Sequence, residues 1–233
     1  NEVIKYFNIS KKFNFANMTP NGKLVPKKEI ELEFNNILIL YRDLLDSMNL
    51  TSQISRYVIP AIRYKEPSIN TLNADRSSRS ELPHSDSWAG WGENCLLINI
   101  PIYGDTKKNK VIYYKMPDDA RSDFMEKRNF DEGYEYSRQC SELKLPYEIG
   151  NIYVCDISVI HKTSRVANAE GRLSIDIPIL FKYDKNIKNI FLNSDEFNFI
   201  SVEKMQSFGK SLKLSLSSRM GSIDDFAFEF DKI

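Results

Sequence analysis

Short runs rich in β-branched and aromatic residues, punctuated by Pro and Gly, constrain the fold of this chain more than any other feature. They span residues 55–64, 96–103, 110–116, 149–160 and 172–183, and the punctuation falls at Pro67, Gly104-Asp105, Pro117, Pro146, Gly150 and Gly171. Runs of that length and composition read as strands. Only one segment has a clear helical texture. Within 28–48, Ile30, Leu32, Phe34, Ile37, Leu38, Tyr41, Leu44 and Leu45 recur close to a 3.6-residue period, with no Gly or Pro among them. Alternating βαβ units would need a helix after each strand. One amphipathic helix on a series of short strands instead predicts a mainly β sandwich or jelly roll with flanking helices.

The 233 residues suffice for a single domain of this kind, and no linker-like stretch divides them. We read 1–53 as an N-terminal lead-in and helix, its first 26 residues polar and partly extended up to the turn chemistry of Thr19-Pro20-Asn21-Gly22. Residues 54–183 then form the β core, and 184–233 a C-terminal extension. In that extension the alternation of Phe226, Phe228 and Phe230 predicts an edge strand. The charged stretch 117–146 interrupts the strand pattern and reads as an insertion or lid, the kind of long connection that often carries function.

Charge excludes some partners. Lys plus Arg and Asp plus Glu both number 32, so the chain lacks the basic surplus that nucleic-acid binding needs. A small soluble substrate is expected instead. Apolar stretches such as 37–41 fall well short of the ~20 residues of a membrane helix, so no span is expected. Cys95, Cys140 and Cys155 are odd in number and show no CxxC spacing, which fits reduced thiols in a cytoplasmic protein.

Histidine is the scarcest chemistry-bearing residue, with His84 and His161 the only two in the chain. His84 opens the segment His84-Ser85-Asp86-Ser87-Trp88-Ala89-Gly90. On a strand, residues two apart share a face, so His84 and Asp86 would present an imidazole and a carboxylate side by side. His161 closes a β-rich run 75 residues after Asp86, and a distant strand can deliver it to the same place. Two histidines and one carboxylate form the facial triad, which leaves positions open and suits non-haem Fe(II) chemistry with O2. Eleven residues beyond His161 comes Arg172, with Ser174 two further on. A guanidinium fork and a neighbouring hydroxyl on one strand face suit a carboxylate, while Leu173, Ile175 and Ile177 alternate onto the other face.

His84-Ser85-Asp86, then the distant His161, then Arg172-Leu173-Ser174 resembles the motif of the Fe(II)/2-oxoglutarate-dependent oxygenases. The resemblance covers roughly residues 54–183, and the segment around Asp86 is similar to members found in bacterial carbohydrate and surface-polysaccharide gene clusters. It implies a double-stranded β-helix of cupin-like jelly-roll form. It also implies Fe(II) held by His84, Asp86 and His161, and 2-oxoglutarate as co-substrate with its far carboxylate on Arg172 and Ser174. The implied reaction uses O2, releases succinate and CO2, and hydroxylates a small polar metabolite, such as a sugar or a sugar-linked intermediate. Relatives that halogenate lack the carboxylate of the triad, so Asp86 favours hydroxylation or another oxidation.

Substrate contacts are read from position alone. Trp88 and Trp91, the only tryptophans, stand just beyond the metal ligands and are candidates for a stacking wall. Arg76 and Arg79 are candidates for an anionic group of the substrate, and Arg63 closes the first strong strand. Two other classes remain open: a non-catalytic cupin-type ligand-binding module, and a cupin-like metal-dependent isomerase or hydrolase.

Overall fold

Residues 172–181 alternate in a way that makes them the spine of the molecule. Leu173, Ile175, Ile177 and Ile179 are buried on one side of this strand and belong to the main hydrophobic core, while Arg172, Ser174 and Asp176 point to the other. In the computed structural model, which describes all residues except 1, 13–17, 20, 68–79, 90–94, 119–126, 128–129, 183–198 and 217–227, this is strand β8 (Arg172–Phe181).

On one flank β8 pairs antiparallel with β3 (Cys95–Gly104), which in turn pairs with β6 (Tyr153–Asp156). On the other flank it pairs with both β1 (Ile54–Val58) and β2 (Ala61–Lys65), and β1 carries the edge strand β9 (Phe199–Ser201). The expected single run 55–64 is therefore two strands, because Ile59-Pro60 breaks it and Pro has no N–H for the ladder. A second sheet has the order β5-β4-β7, from Ser141–Glu142, Asn109–Lys115 and His161–Arg165. An isolated bridge between His84 and His161 extends that sheet by one more position. The two sheets make a jelly roll, a mainly β fold with flanking helices.

Helix α2 (Glu31–Ser47), entered through the 3-10 turn Lys28–Ile30, buries Phe34, Ile37, Leu38, Tyr41 and Leu45. It ends where Asn49 adopts φ 56° and Leu50 N–H donates to the Leu45 carbonyl, a left-handed stop that Asn tolerates better than most residues. Leu32, expected on the apolar face, is 66% exposed. The N-terminal lead-in differs from expectation: Glu2–Lys12 is a helix, α1. Val3, Tyr6, Phe7 and Ser10 are its buried side, a helical repeat too short and too interrupted by Lys and Asn to stand out. α1, α2 and the short helix α4 (Val202–Ser207) join Ile62, Ile98 and the apolar side of β8 in one core. Burying such a side chain fully contributes about 1.5–3 kcal/mol.

The C-terminal extension ends in a ribbon of β10 (Leu212–Leu216) and β11 (Phe228–Lys232). The alternating segment is thus a strand in its own two-stranded sheet, with Phe226 outside the described residues. Asn35 of α2 clasps the ribbon at Leu214 through both its amide nitrogen and its oxygen. The stretch 117–146 contributes helix α3 (Phe130–Ser137) and β5, which pairs with β4. Phe130, Gly133 and Ser137 bury one side of α3, while residues 141–146 are exposed. Among the described residues no helix is long and apolar enough to cross a membrane.

Candidate metal centre and its cavity

His84 and His161 are neighbours because their backbones form the bridge between the strand positions, each N–H donating to the other's carbonyl at 2.9 and 2.8 Å. Asp86 reaches them differently from expectation. It starts a 3-10 turn, Asp86–Ala89, rather than continuing a strand. The Ser85 hydroxyl causes the turn: it accepts from Ser87 N–H at 3.2 Å and bonds the Ser87 hydroxyl at 2.6 Å, the local competition with strand geometry that serine favours.

The Asp86 carboxylate lies 3.9 Å from Nε2 of each histidine, and the three potential ligand atoms lie within 4.8 Å of one another. Each imidazole is oriented by its other nitrogen: Nδ1 of His84 meets the Leu82 carbonyl at 2.7 Å, and Nδ1 of His161 meets the Val159 carbonyl at 3.0 Å. A carbonyl only accepts, so both Nδ1 atoms carry a proton and both Nε2 atoms turn toward Asp86. Burial, then the neighbouring His161, holds the His84 imidazole well below its ordinary value and therefore neutral. Phe130 of α3 stacks on His84 with ring centres 4.2 Å apart. Donor atoms bonded at about 2.0–2.2 Å to one metal can lie up to roughly 4 Å apart, and both His–Asp separations, at 3.9 Å, meet that limit.

The triad opens into a cavity of about 290 Å³ between the two sheets, whose lining includes Arg63, Lys65, Asn99, Tyr113, Arg172 and Asp176. Arg172 and Ser174 share the cavity side of β8. Arg172 is 2% exposed, and its Nε and the Ser174 Oγ are buried without a hydrogen-bond partner. An unpaired buried donor carries a desolvation penalty of about 1–3 kcal/mol, more for a charged group. A carboxylate would satisfy both atoms. The Tyr113 hydroxyl is likewise buried and unpartnered.

Side chains without a sequence signal complete the wall. Arg172 Nη1 donates to the Tyr147 hydroxyl, which donates to Asn99 Oδ1 at 2.7 Å. Asn99 Nδ2 then donates to Asp176, whose other oxygen accepts from Arg63 Nε. The Arg172 guanidinium also lies over the Tyr147 ring, 5.0 Å from its centre. This chain of bonds fixes Arg172 and spends Arg63 on Asp176. Arg63 lines the cavity as expected of a substrate contact, but its Nε is engaged inside the protein. Tyr147 and Asn99 come from distant segments, so no local pattern announces them; Asp176 continues the two-residue step from Arg172 and Ser174.

Trp88 is not part of the cavity wall. It is 1% exposed and packs with Tyr114, Phe130 and Ile160, and a Cβ on Gly133 of α3 would come within 2.2 Å of its ring. The indole is taken up by packing, and what it supports is the turn that carries Asp86. Trp91, Arg76 and Arg79 lie outside the described residues.

No family model matches this chain, and no curated protein matches it. Solved structures do. The epimerase SnoN, in complex with Fe3+, alpha ketoglutarate and nogalamycin RO, has a TM-score of 0.50 at 13% identity, covering 85% of this chain and 89% of that one. What the two share is the fold. The carbocyclase SnoK from nogalamycin biosynthesis gives 0.42 at 12% identity over 71% and 70% of the two chains. AviO1 from Streptomyces viridochromogenes Tue57 gives 0.38 at 16% over 61% and 57%.

Proposed function

We propose that the protein is a non-haem Fe(II)- and 2-oxoglutarate-dependent oxygenase acting on a small polar molecule. One observation carries this: a pre-oriented His-Asp-His set faces the same cavity as the buried Arg172, whose Nε has no partner, with the unpartnered Ser174 hydroxyl two residues on along the same side of β8. A resident metal alone would not call for the second socket. A carboxylate-binding module alone would not call for the first.

Bound Fe(II) and 2-oxoglutarate supply O2 activation coupled to decarboxylation, with succinate and CO2 as products. The chain's own residues do the rest. His84, Asp86 and His161 would hold the metal from one side. Arg172 and Ser174 would hold the remote carboxylate, while Tyr147 keeps the guanidinium aimed. Phe130 and the packed turn at Trp88 keep water from the closed side of the histidines. Asp86 fills the position that halogenation would need vacant, which supports hydroxylation. SnoN, described as an epimerase with nogalamycin RO bound, supports a small-molecule substrate and adds epimerisation as a second outcome. Its setting is natural-product biosynthesis; a sugar or sugar-linked substrate remains our finer proposal, drawn from the motif segment.

Anaerobic Fe(II) and 2-oxoglutarate added to the protein are expected to give a weak visible charge-transfer band, and air is expected to start slow succinate formation without substrate. Absence of both would sink the proposal. Turnover supported by Zn2+ without O2 would favour a metal-dependent isomerase or hydrolase instead. Arg172→Ala is expected to weaken 2-oxoglutarate binding roughly 100-fold and spare the metal, as loss of a charge-assisted carboxylate pair implies. His161→Ala is expected to abolish binding of both; equal effects of the two variants on both ligands would contradict the assigned roles.

A further inference from the structure

We propose that Lys65 is a second cation of the socket for the remote carboxylate, beside Arg172; this rests on the reading of the cavity as a 2-oxoglutarate site. In the β2–β8 register Lys65 stands directly across from Arg172, and Arg63 across from Ser174. Both Lys65 and Arg172 line the cavity, and they are 5% and 2% exposed. Like charges directly opposite on neighbouring strands are destabilising, and burying them without a counter-ion makes the penalty larger. Among the described residues, neither group is hydrogen-bonded to a counter-ion. Lys65 Nζ donates to the neutral Ser80 hydroxyl at 2.6 Å, and Arg172 Nη1 to the neutral Tyr147 hydroxyl.

The acids nearby are committed elsewhere. Glu81 pairs with Arg165 at 2.7 Å, Asp176 with Arg63, and Asp86 stands with the histidines. A buried amine and a buried guanidinium with neutral partners, side by side in a cavity, are a site for an anion brought from outside. The groups that face Lys65 act accordingly: burial, then Arg63 on its own strand, with Arg172 of β8 and Arg165 of β7, lower its ammonium to about 7 against the single opposing charge of Glu81. An arriving carboxylate therefore draws a proton onto Lys65 when the solution is above pH 7. A dicationic socket also favours a co-substrate with a remote carboxylate over a 2-oxo monoacid.

The test uses Fe(II)-loaded protein under anaerobic conditions, titrated with 2-oxoglutarate by the visible band and by calorimetry at pH 8 in two buffers of different ionisation enthalpy. Lys65→Met is expected to raise the Kd for 2-oxoglutarate about 10-fold or more with metal affinity unchanged, a difference of about 1.4 kcal/mol. Lys65→Arg is expected to bind within about 3-fold of the parent, because its charge is permanent. The parent is expected to take up most of one proton per 2-oxoglutarate bound, and both variants none. Ser80→Ala, which removes only the internal hydrogen bond of Lys65, is expected to keep the affinity and the proton uptake. Equal affinity of parent and Lys65→Met overturns the proposal, as does binding by the parent without proton uptake. If Lys65→Met fails to fold, Lys65→Arg decides by the same proton count. Failure of the parent to bind 2-oxoglutarate at all is a different result, and it removes the functional reading itself.

Discussion

Tyr147 is the residue on which the proposed carboxylate socket turns, because its hydroxyl ties Arg172 to Asn99 and its ring lies under the guanidinium. Tyr147→Phe keeps the ring and removes both bonds. We expect 2-oxoglutarate affinity to fall about 10-fold, the scale of one hydrogen bond to a charged group, with metal affinity unchanged by titration. His84 has a different signature. Its imidazole is held well below the ordinary value, so below about pH 6.5 the unfolded chain takes up a proton that the folded chain refuses. Metal-free protein is therefore expected to lose stability as pH falls from 7 to 5. The loss should be smaller in His84→Gln, measured by urea unfolding at the two pH values. At this scale the motif residues were legible because each chemistry needs a particular side chain. Lys65, Asn99 and Tyr147 were not, because their roles arise only from what the two sheets bring together.

Among the elements, the 3-10 turn at Asp86 and helix α3 work as one piece. Trp88 closes the turn and fills the space left by Gly133, where a Cβ would lie 2.2–2.3 Å from the indole. Gly133→Ala is expected to destabilise the protein by about 1–3 kcal/mol, as overpacking does. It should also lower metal affinity by displacing Asp86, so thermal unfolding and a metal titration are expected to move together. A metal affinity left unchanged in the folded variant would separate α3 from the site. The strands of the core were readable from alternation and turn residues, and α2 from its period and lack of Gly and Pro. The short elements α3, α4, β9 and β10 gave no pattern, and two other cases are instructive. α1 has too few turns for its buried set, Val3, Tyr6 and Phe7, to stand out from polar neighbours. The His84–Asp86 segment has strand spacing, yet the Ser85 hydroxyl captures the backbone into a turn.

The molecule as a whole separates its stability from its chemistry across one sheet. Helices α1, α2 and α4 and strand β10 bury the outer face of the main sheet, while the cavity occupies the inner face. Asn35→Ala, which unclasps α2 from the ribbon at Leu214, is expected to lower stability by about 1–3 kcal/mol and leave the affinities for metal and 2-oxoglutarate within error. Coupled loss of both would mean that the layers are not independent. β8 is where the two layers meet, with Leu173, Ile175 and Ile177 on one side and Arg172, Ser174 and Asp176 on the other. Deleting a single residue within it would turn the guanidinium toward the helices and the leucine toward the cavity. Descendants of this chain can therefore vary β8 by exchanging side chains in place, but a change in its length has to come in pairs.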